Sequence, residues 1–244
     1  MAAPDYSSAD YWEARYSAPG GDAPFEWYAS YAEGLAPHLA RLVDPRAEGF
    51  ELLVVGCGTS SLALDLHRAG ARNVSAIDIS PSAVRHQLAA VACAGAEDLD
   101  VSCCDATAMR GELPDGVFNA VVDKATGDAL LCRGGGAAAQ AHGALVRECA
   151  RVCAEGGTVM FISTHPPDIM LRLLQEPASN GRGSSGDGGG GDDERGPLWD
   201  ATPSAVRVLR QVGGMEPAAS DCPPVFVYTC QKRNSSGGTS FTSY

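Results

Sequence analysis

The chain has 244 residues, 45% of them hydrophobic and 20% charged, with a formal net charge of −12. That length and apolar content suffice for one sizeable core and predict one domain rather than two. The acidic balance disfavours nucleic-acid backbones, which need basic patches, and favours basic partners, though such charge also makes a well-solvated surface; no apolar run approaches the ~18 residues of a membrane helix, so no membrane partner is expected.

In chain order, the start carries Asp5 and Asp10 but no arginine before Arg15, unlike a transit peptide, and it lacks the apolar core of a signal peptide. The nine cysteines form no Cys-x-x-Cys pair, and Cys93, Cys104 and Cys153 sit in apolar stretches. Both features predict reduced thiols and a cytoplasmic location. Cys149 and Cys153 fall on one helical face, but no histidine stands at ligand spacing, so core packing is expected there and no metal.

Tyr11-Trp12-Glu13-Ala14-Arg15-Tyr16 and, after a Gly-rich turn, Phe25-Glu26-Trp27-Tyr28 and Tyr31 gather aromatics into a predicted lid over residues 10–31. Ser7 or Ser8 can cap a short helix with Trp12 and Tyr16 on one face. Some rings can pack on the sheet as a hydrophobic cover, and others can contact a ligand and exclude water from it. A helix is predicted from Leu35 to Val43, ended by Asp44-Pro45.

Glu51-Leu52-Leu53-Val54-Val55-Gly56-Cys57-Gly58 reads as a buried parallel strand entering a glycine turn, where Gly56 and Gly58 permit close approach to a ligand. Leu62, Leu64 and Leu66 start a helix whose first amides are expected to face that ligand. Ser61 stands where a dinucleotide fingerprint needs its third glycine, so a phosphate cradle is not expected. Val74 to Asp78 is a second strand ending in an acid, placed to accept both hydroxyls of a ribose; an ordinary α/β turn would also produce this pattern. Ser80-Pro81 opens the next helix, with a core stripe at Val84, Leu88, Val91 and Ala92. Asp105 closes a third short strand and suits the exocyclic amine of an adenine. Adenosine without phosphate suggests S-adenosylmethionine.

Asp115-Gly116 marks a turn, and Val117 to Lys124 is a fourth strand. A long helix is predicted from about Ala137 to Ala154, stopped by Gly156-Gly157, then a fifth strand from Thr158 to Ser163 and a helix from Asp168 to Gln175. Residues 178–196 collapse to Gly, Ser and Asp and predict a flexible insertion. Ala205–Leu209 and Val225–Cys230 read as an antiparallel pair, and residues 234–244 as a polar tail. The sum is an α/β, mostly parallel seven-stranded sheet with an antiparallel edge pair, in one domain over residues 1–233.

Val55-Gly56-Cys57-Gly58-Thr59-Ser60, Tyr11-Trp12-x-x-Arg15-Tyr16, Phe25-Glu26-Trp27-Tyr28 and Asp123-Lys124-Ala125-Thr126-Gly127-Asp128-Ala129 together resemble the seven-β-strand protein-lysine methyltransferases. Among these are the branches acting on translation elongation factor 1-alpha and on citrate synthase. The resemblance runs from about Asp10 to Ile162 and implies a Rossmann-like class I methyltransferase fold. It implies that Trp12, Tyr16, Trp27, Gly56, Gly58, Asp78 with Ile79, Asp105 with Ala106, and Lys124 line S-adenosylmethionine. Ala125 departs from the family by replacing a glycine, Gly127 by replacing a larger residue, and Val54 stands where many methyltransferases have an acid.

The implied partner is a protein that offers an accessible lysine from a basic surface, and no nucleic acid is expected. Asp123 and Asp128 are the candidates to orient that ammonium; alternatively they form a local salt bridge with Lys124 or cap a helix. Apolar Val54 leans towards the elongation-factor branch and Thr59-Ser60-Ser61 towards citrate synthase. A small-molecule methyltransferase, with a closed pocket, and a catalytically silent binding fold stay open as alternatives.

Overall fold

The computed structural model describes residues 4–43, 49–175, 198–199, 204–208 and 223–234. The proposed insertion at 178–196, the Asp44-Pro45 stop, Leu209 and all of the tail except Asn234 lie outside the described residues. In chain order the elements are α1 (Ala9–Ser17), α2 (Ala36–Leu39), β1 (Glu51–Val55), α3 (Leu62–Ala69), β2 (Asn73–Asp78), α4 (Pro81–Ala94), β3 (Asp100–Cys103), β4 (Phe118–Lys124), α5 (Thr126–Leu131), α6 (Gly135–Val152), β5 (Cys153–Ser163), α7 (Pro167–Gln175), β6 (Ser204–Val208) and β7 (Val225–Gln231).

Among the described residues the strands form one seven-stranded sheet in the order β3-β2-β1-β4-β5-β7-β6. Strands β1 to β5 pair in parallel, while β7 runs antiparallel to both β5 and β6. The expected edge pair is therefore present, with β7 as the reversed strand inserted between two of the opposite sense. Alternation along β1 sends Leu52 and Val54 into one core layer and Leu53 and Val55 into the other, which is why the strand reads as a continuous apolar run. Chain order reverses between β1 and β4, and the crevice at their carboxyl ends is where α/β sheets bind ligands.

Several local expectations are corrected. Ser8 is the N-cap of α1 but makes no side-chain cap bond, and Ser7, the other candidate, turns its hydroxyl to Asp5 instead. The segment expected as one helix from Leu35 is broken: a π turn over Tyr31–Leu35 with Gly34 in non-helical geometry precedes α2, and a 3-10 turn over Ala40–Leu42 follows. On α4, Leu88 is 45% exposed and Ala92 is exposed, while Ser82, Ala83, Val84, Gln87 and Val91 face inward. Helix α6 ends at Val152, and β5 already begins at Cys153, with a register shift against β4 before Thr158. Cys149 and Cys153 thus lie on different elements, both fully buried in the same core, whereas Cys93 is exposed.

Candidate functional site

Gly56 and Gly58 follow β1 with φ of 60° and 50°, left-handed values that favour glycine. Space forbids a side chain there as well: a Cβ at position 56 would meet Thr126 Oγ1 at 1.9 Å, and one at position 58 would meet the Tyr16 hydroxyl at 2.5 Å. The turn is closed from below by Asp78, whose carboxylate accepts the amides of Gly58 at 2.8 Å and Ser80 at 2.9 Å. Burial raises the Asp78 carboxyl above its usual range, and those amide bonds oppose the shift. Gln87 completes the turn from α4, its amide donating to the carbonyls of Gly58 at 3.0 Å and Ser60 at 2.7 Å.

A cleft opens above this turn, lined by Gly56, Gly58, Asp78, Ile79, Asp105 and Ala106 along the sheet edge. Trp12, Tyr16 and Trp27 form its aromatic wall, and Lys124 and Asp128 its far side after β4. Every residue expected at the cofactor is therefore brought to one cleft. Asp105 is exposed, and one of its oxygens is engaged by the amide and hydroxyl of Thr107, each at 2.8 Å. Trp12 stacks on Tyr16 at 5.8 Å and meets Trp27 edge-on at 6.3 Å.

Two lid glutamates, present in the aromatic motifs but not singled out from the sequence, dock this wall. Glu26 accepts the Ser61 amide at 2.6 Å and the Ser60 hydroxyl at 2.8 Å, and pairs with Lys124 Nζ at 2.6 Å. Burial works to raise Glu26, but the charge of Lys124 and these hydrogen bonds outweigh it and hold the carboxyl below its usual range. Burial in turn pulls Lys124 down, against the pull of Glu26; the 2.6 Å contact within a set of donors favours the ionised pair. Glu13 does the same at α4, accepting the hydroxyls of Ser80 and Ser82 at 2.6 Å and the Ser82 amide at 3.0 Å. The amide of Ser61, the N-cap of α3, thus faces Glu26, and that of Leu62 the Ser60 hydroxyl at 3.2 Å, which corrects the expectation that the start of this helix faces a ligand. A carboxylate already occupies the position where a dinucleotide would place its pyrophosphate.

The two acids after β4 differ. Asp123 is 2% exposed and does not line the cleft; its oxygens accept the amides of Thr126 and Gly127, each at 3.0 Å, capping α5. Burial pushes its carboxyl up to about 7, with the charge of Asp128 adding to the shift. Asp128 lines the cleft and accepts from Tyr28 at 2.5 Å, Ser163 at 2.5 Å and the Thr164 amide at 3.0 Å, with His165 Nδ1 at 3.1 Å. Burial would raise Asp128, yet these bonds, His165 foremost, carry it below the usual range. Behind them His142 is fully buried with neither ring nitrogen partnered among the described residues. Its ring occupies the space a side chain at Gly127 would need, 3.2 Å from the site of a Cβ. Asp123 Oδ2 lies closer still, 3.0 Å from that point, so the glycine sits in a tight space.

The sequence family described as "Methyltransferase domain" matches residues 53–161. Over 232 residues the chain is 38% identical to the eEF1A lysine and N-terminal methyltransferase of Danio rerio, covering 94% of this chain and 29% of that protein. It is 34% identical over 170 residues to the Homo sapiens protein of the same name, covering 70% of this chain and 23% of the relative. EEF1A lysine methyltransferase 4 of Mus musculus is 32% identical over 130 residues, 52% of this chain and 46% of the relative. The chain thus spans less than a third of the length of the first two relatives and under half of the third.

Among solved structures, one from the conversion of a disulfide bond into a thioacetal group during echinomycin biosynthesis superposes with a TM-score of 0.54 at 18% identity, covering 93% of each chain. TrmN from Thermus thermophilus superposes with a TM-score of 0.51 at 15% identity, covering 81% of this chain and 48% of the other. Both likenesses concern the fold. The matched segment, the sheet and the cleft at its carboxyl edge identify a class I methyltransferase domain, related in sequence to the eEF1A lysine methyltransferases.

Proposed function

We propose that this chain transfers methyl groups from S-adenosylmethionine to a lysine side chain of a protein, with eEF1A as the first candidate. The observation that carries the reading is the pairing of two walls in one cleft. Asp78, Asp105, the glycine turn and the aromatic lid form a wall suited to a nucleoside, and Asp128 with Tyr28 lies on the far side of the cleft, where an acceptor would enter. The sequence similarity to the Danio rerio eEF1A enzyme covers 94% of the chain.

The residues present fit the cofactor. Asp78 offers a buried carboxylate for ribose hydroxyls, Asp105 an acceptor for an adenine amine, and Ile79 and Ala106 apolar surface for the ring. Trp12, Tyr16 and Trp27 exclude water. When bound, the cofactor supplies a methyl group already activated on a sulfonium and departs as a neutral thioether. What the protein adds is alignment of a neutral amine at the reacting distance of ~3–3.5 Å. Because free lysine is protonated near pH 7, its proton must leave before attack; the cleft opens to water, which can take it. The ionised Asp128, fixed from several sides, sets a negative potential that draws the ammonium to the mouth of the cleft, where it gives its proton to water before it enters.

The acidic chain suits a basic acceptor surface, steered in by charge and weakened as salt shortens a Debye length of ~8 Å at physiological ionic strength. The same reading places the protein in the cytoplasm, and the described cysteines are free thiols. The relatives are named for N-terminal as well as lysine methyl transfer. The test is methyl transfer from labelled cofactor to purified eEF1A and to citrate synthase, at low and high salt, followed by mapping of the labelled residue. Label on an eEF1A lysine that falls with salt is expected. Label on the eEF1A N-terminus would reassign the acceptor, label on citrate synthase alone would reassign the substrate, and label on neither would favour a small-molecule acceptor.

A further inference from the structure

We propose that the Tyr28 hydroxyl receives an N–H of the acceptor amine and so turns the nitrogen lone pair along the cleft, a catalytic role resting on the amine-methylating reading above. Tyr28 is half-buried and lines the cleft beside Lys124 and Asp128. Its hydroxyl donates to Asp128 Oδ2 at 2.5 Å. An ionised carboxylate only accepts, so the single phenol proton is committed and the oxygen has only lone pairs left to offer. Burial, and after it the charge of Asp128, push the phenol above its ordinary range, which keeps Tyr28 neutral.

Asp128 itself has little capacity to spare. A carboxylate has about four lone-pair sites, and those of Asp128 are met by Tyr28, Ser163, both polar groups of Thr164 and His165. An incoming amine therefore meets the Tyr28 oxygen, which keeps a lone pair beside its contact with the Thr164 side chain, while Asp128 acts through it as a positioning residue. The backbone supports this placement. Tyr28 has φ of 68°, a left-handed conformation rare for a bulky side chain and one that persists only when its surroundings enforce it. The carbonyl of Trp27 just before it is held by Lys124 Nζ at 3.2 Å and by the Ala29 amide at 2.9 Å. Tyr28 is thus fixed at both its backbone and its hydroxyl. It neither gains nor loses a proton: the amine arrives neutral, its extra proton given to water, and the proton shed by the methylated product also goes to water.

The test compares wild type with Tyr28→Phe, reading kcat and KM for the protein acceptor and, without acceptor, cofactor affinity by calorimetry. Losing one acceptor made to the reacting amine should lower kcat by about 10- to 100-fold, with acceptor KM changed less than about threefold and cofactor affinity less than about twofold. Cofactor affinity falling as far as the rate would mean that Tyr28 only supports the lid or the fold, and would overturn the proposal. Unchanged kcat would overturn it while leaving the methyltransferase reading intact. A wild-type protein that binds cofactor but methylates no protein amine would remove that reading and this role together.

Discussion

Lys124 Nζ lies 2.6 Å from Glu26 Oε2, with the lysine side chain only 5% exposed and the glutamate 23%. This contact ties the end of β4 to the aromatic segment near the chain start, so that the lysine expected at the cofactor acts partly by holding the wall in place. Glu26→Ala would leave a buried ammonium without its counter-charge, a change that costs about 3 kcal/mol when one partner of such a pair is removed. Lys124→Met should cost less than half of that, since Glu26 keeps its serine donors and reaches water. Urea unfolding of the two variants checks the order.

Asp78 is the one carboxylate at the glycine turn that is both buried and in the cleft. Asp78→Asn should weaken cofactor affinity by roughly 10- to 100-fold, equivalent to about 1.5–3 kcal/mol for hydrogen bonds to a charged group. Calorimetry showing unchanged affinity would remove the ribose role.

Ala125, which departs from the family's glycine, has φ of 76°. A left-handed alanine costs about 1–2 kcal/mol, and the extra unfolded-state freedom of glycine takes back about 0.4–1 kcal/mol. Ala125→Gly should therefore stabilise the protein by about 0.5–1 kcal/mol, raising Tm by about 2–3 °C. A lower Tm would show that the alanine methyl packs usefully against the cleft.

Asp123 titrates near 7 in the folded protein, against 3.8 as its ordinary value. Between these values the folded state holds a proton that the unfolded chain has released, so this group makes stability fall as pH rises from about 4 to 7. Glu13, held down to about 2 by Ser80 and Ser82, works in the opposite sense in a lower window that overlaps the first only near pH 4, its contribution being lost as pH falls below 4.5. Asp123→Asn should flatten the decline between pH 4 and 7 and leave the acid limb unchanged, as read by denaturant unfolding across pH.

The strands and the residues at their ends were legible because each is a local signal: an apolar run closed by glycine or aspartate. The Ser80 cap is local too, accepting the Ala83 amide at 3.2 Å. Leu88 was misplaced because helical periodicity counts apolar residues, whereas α4 buries Gln87 to supply donors to the Gly58 and Ser60 carbonyls. No hydropathy pattern carries that requirement. Glu13 and Glu26 were hidden for a different reason: the serines they engage are far along the chain, and a glutamate in an aromatic motif gives no sign of which distant helix it caps. Asp123 and Asp128 look alike in sequence, and only the packing of α5 and the turn after β5 separates a buried cap from a cleft wall.

The two glutamate latches also bear on where this domain can be cut. The segment matched by the general methyltransferase family begins at residue 53, yet Glu13 and Glu26 lie before it and satisfy the starts of α3 and α4. A fragment trimmed to that boundary would lose the cleft's aromatic wall, strip both helix starts of their carboxylates and leave Lys124 buried without its counter-ion. The shared core is in this sense a floor that cannot set firmly until its roof is in place.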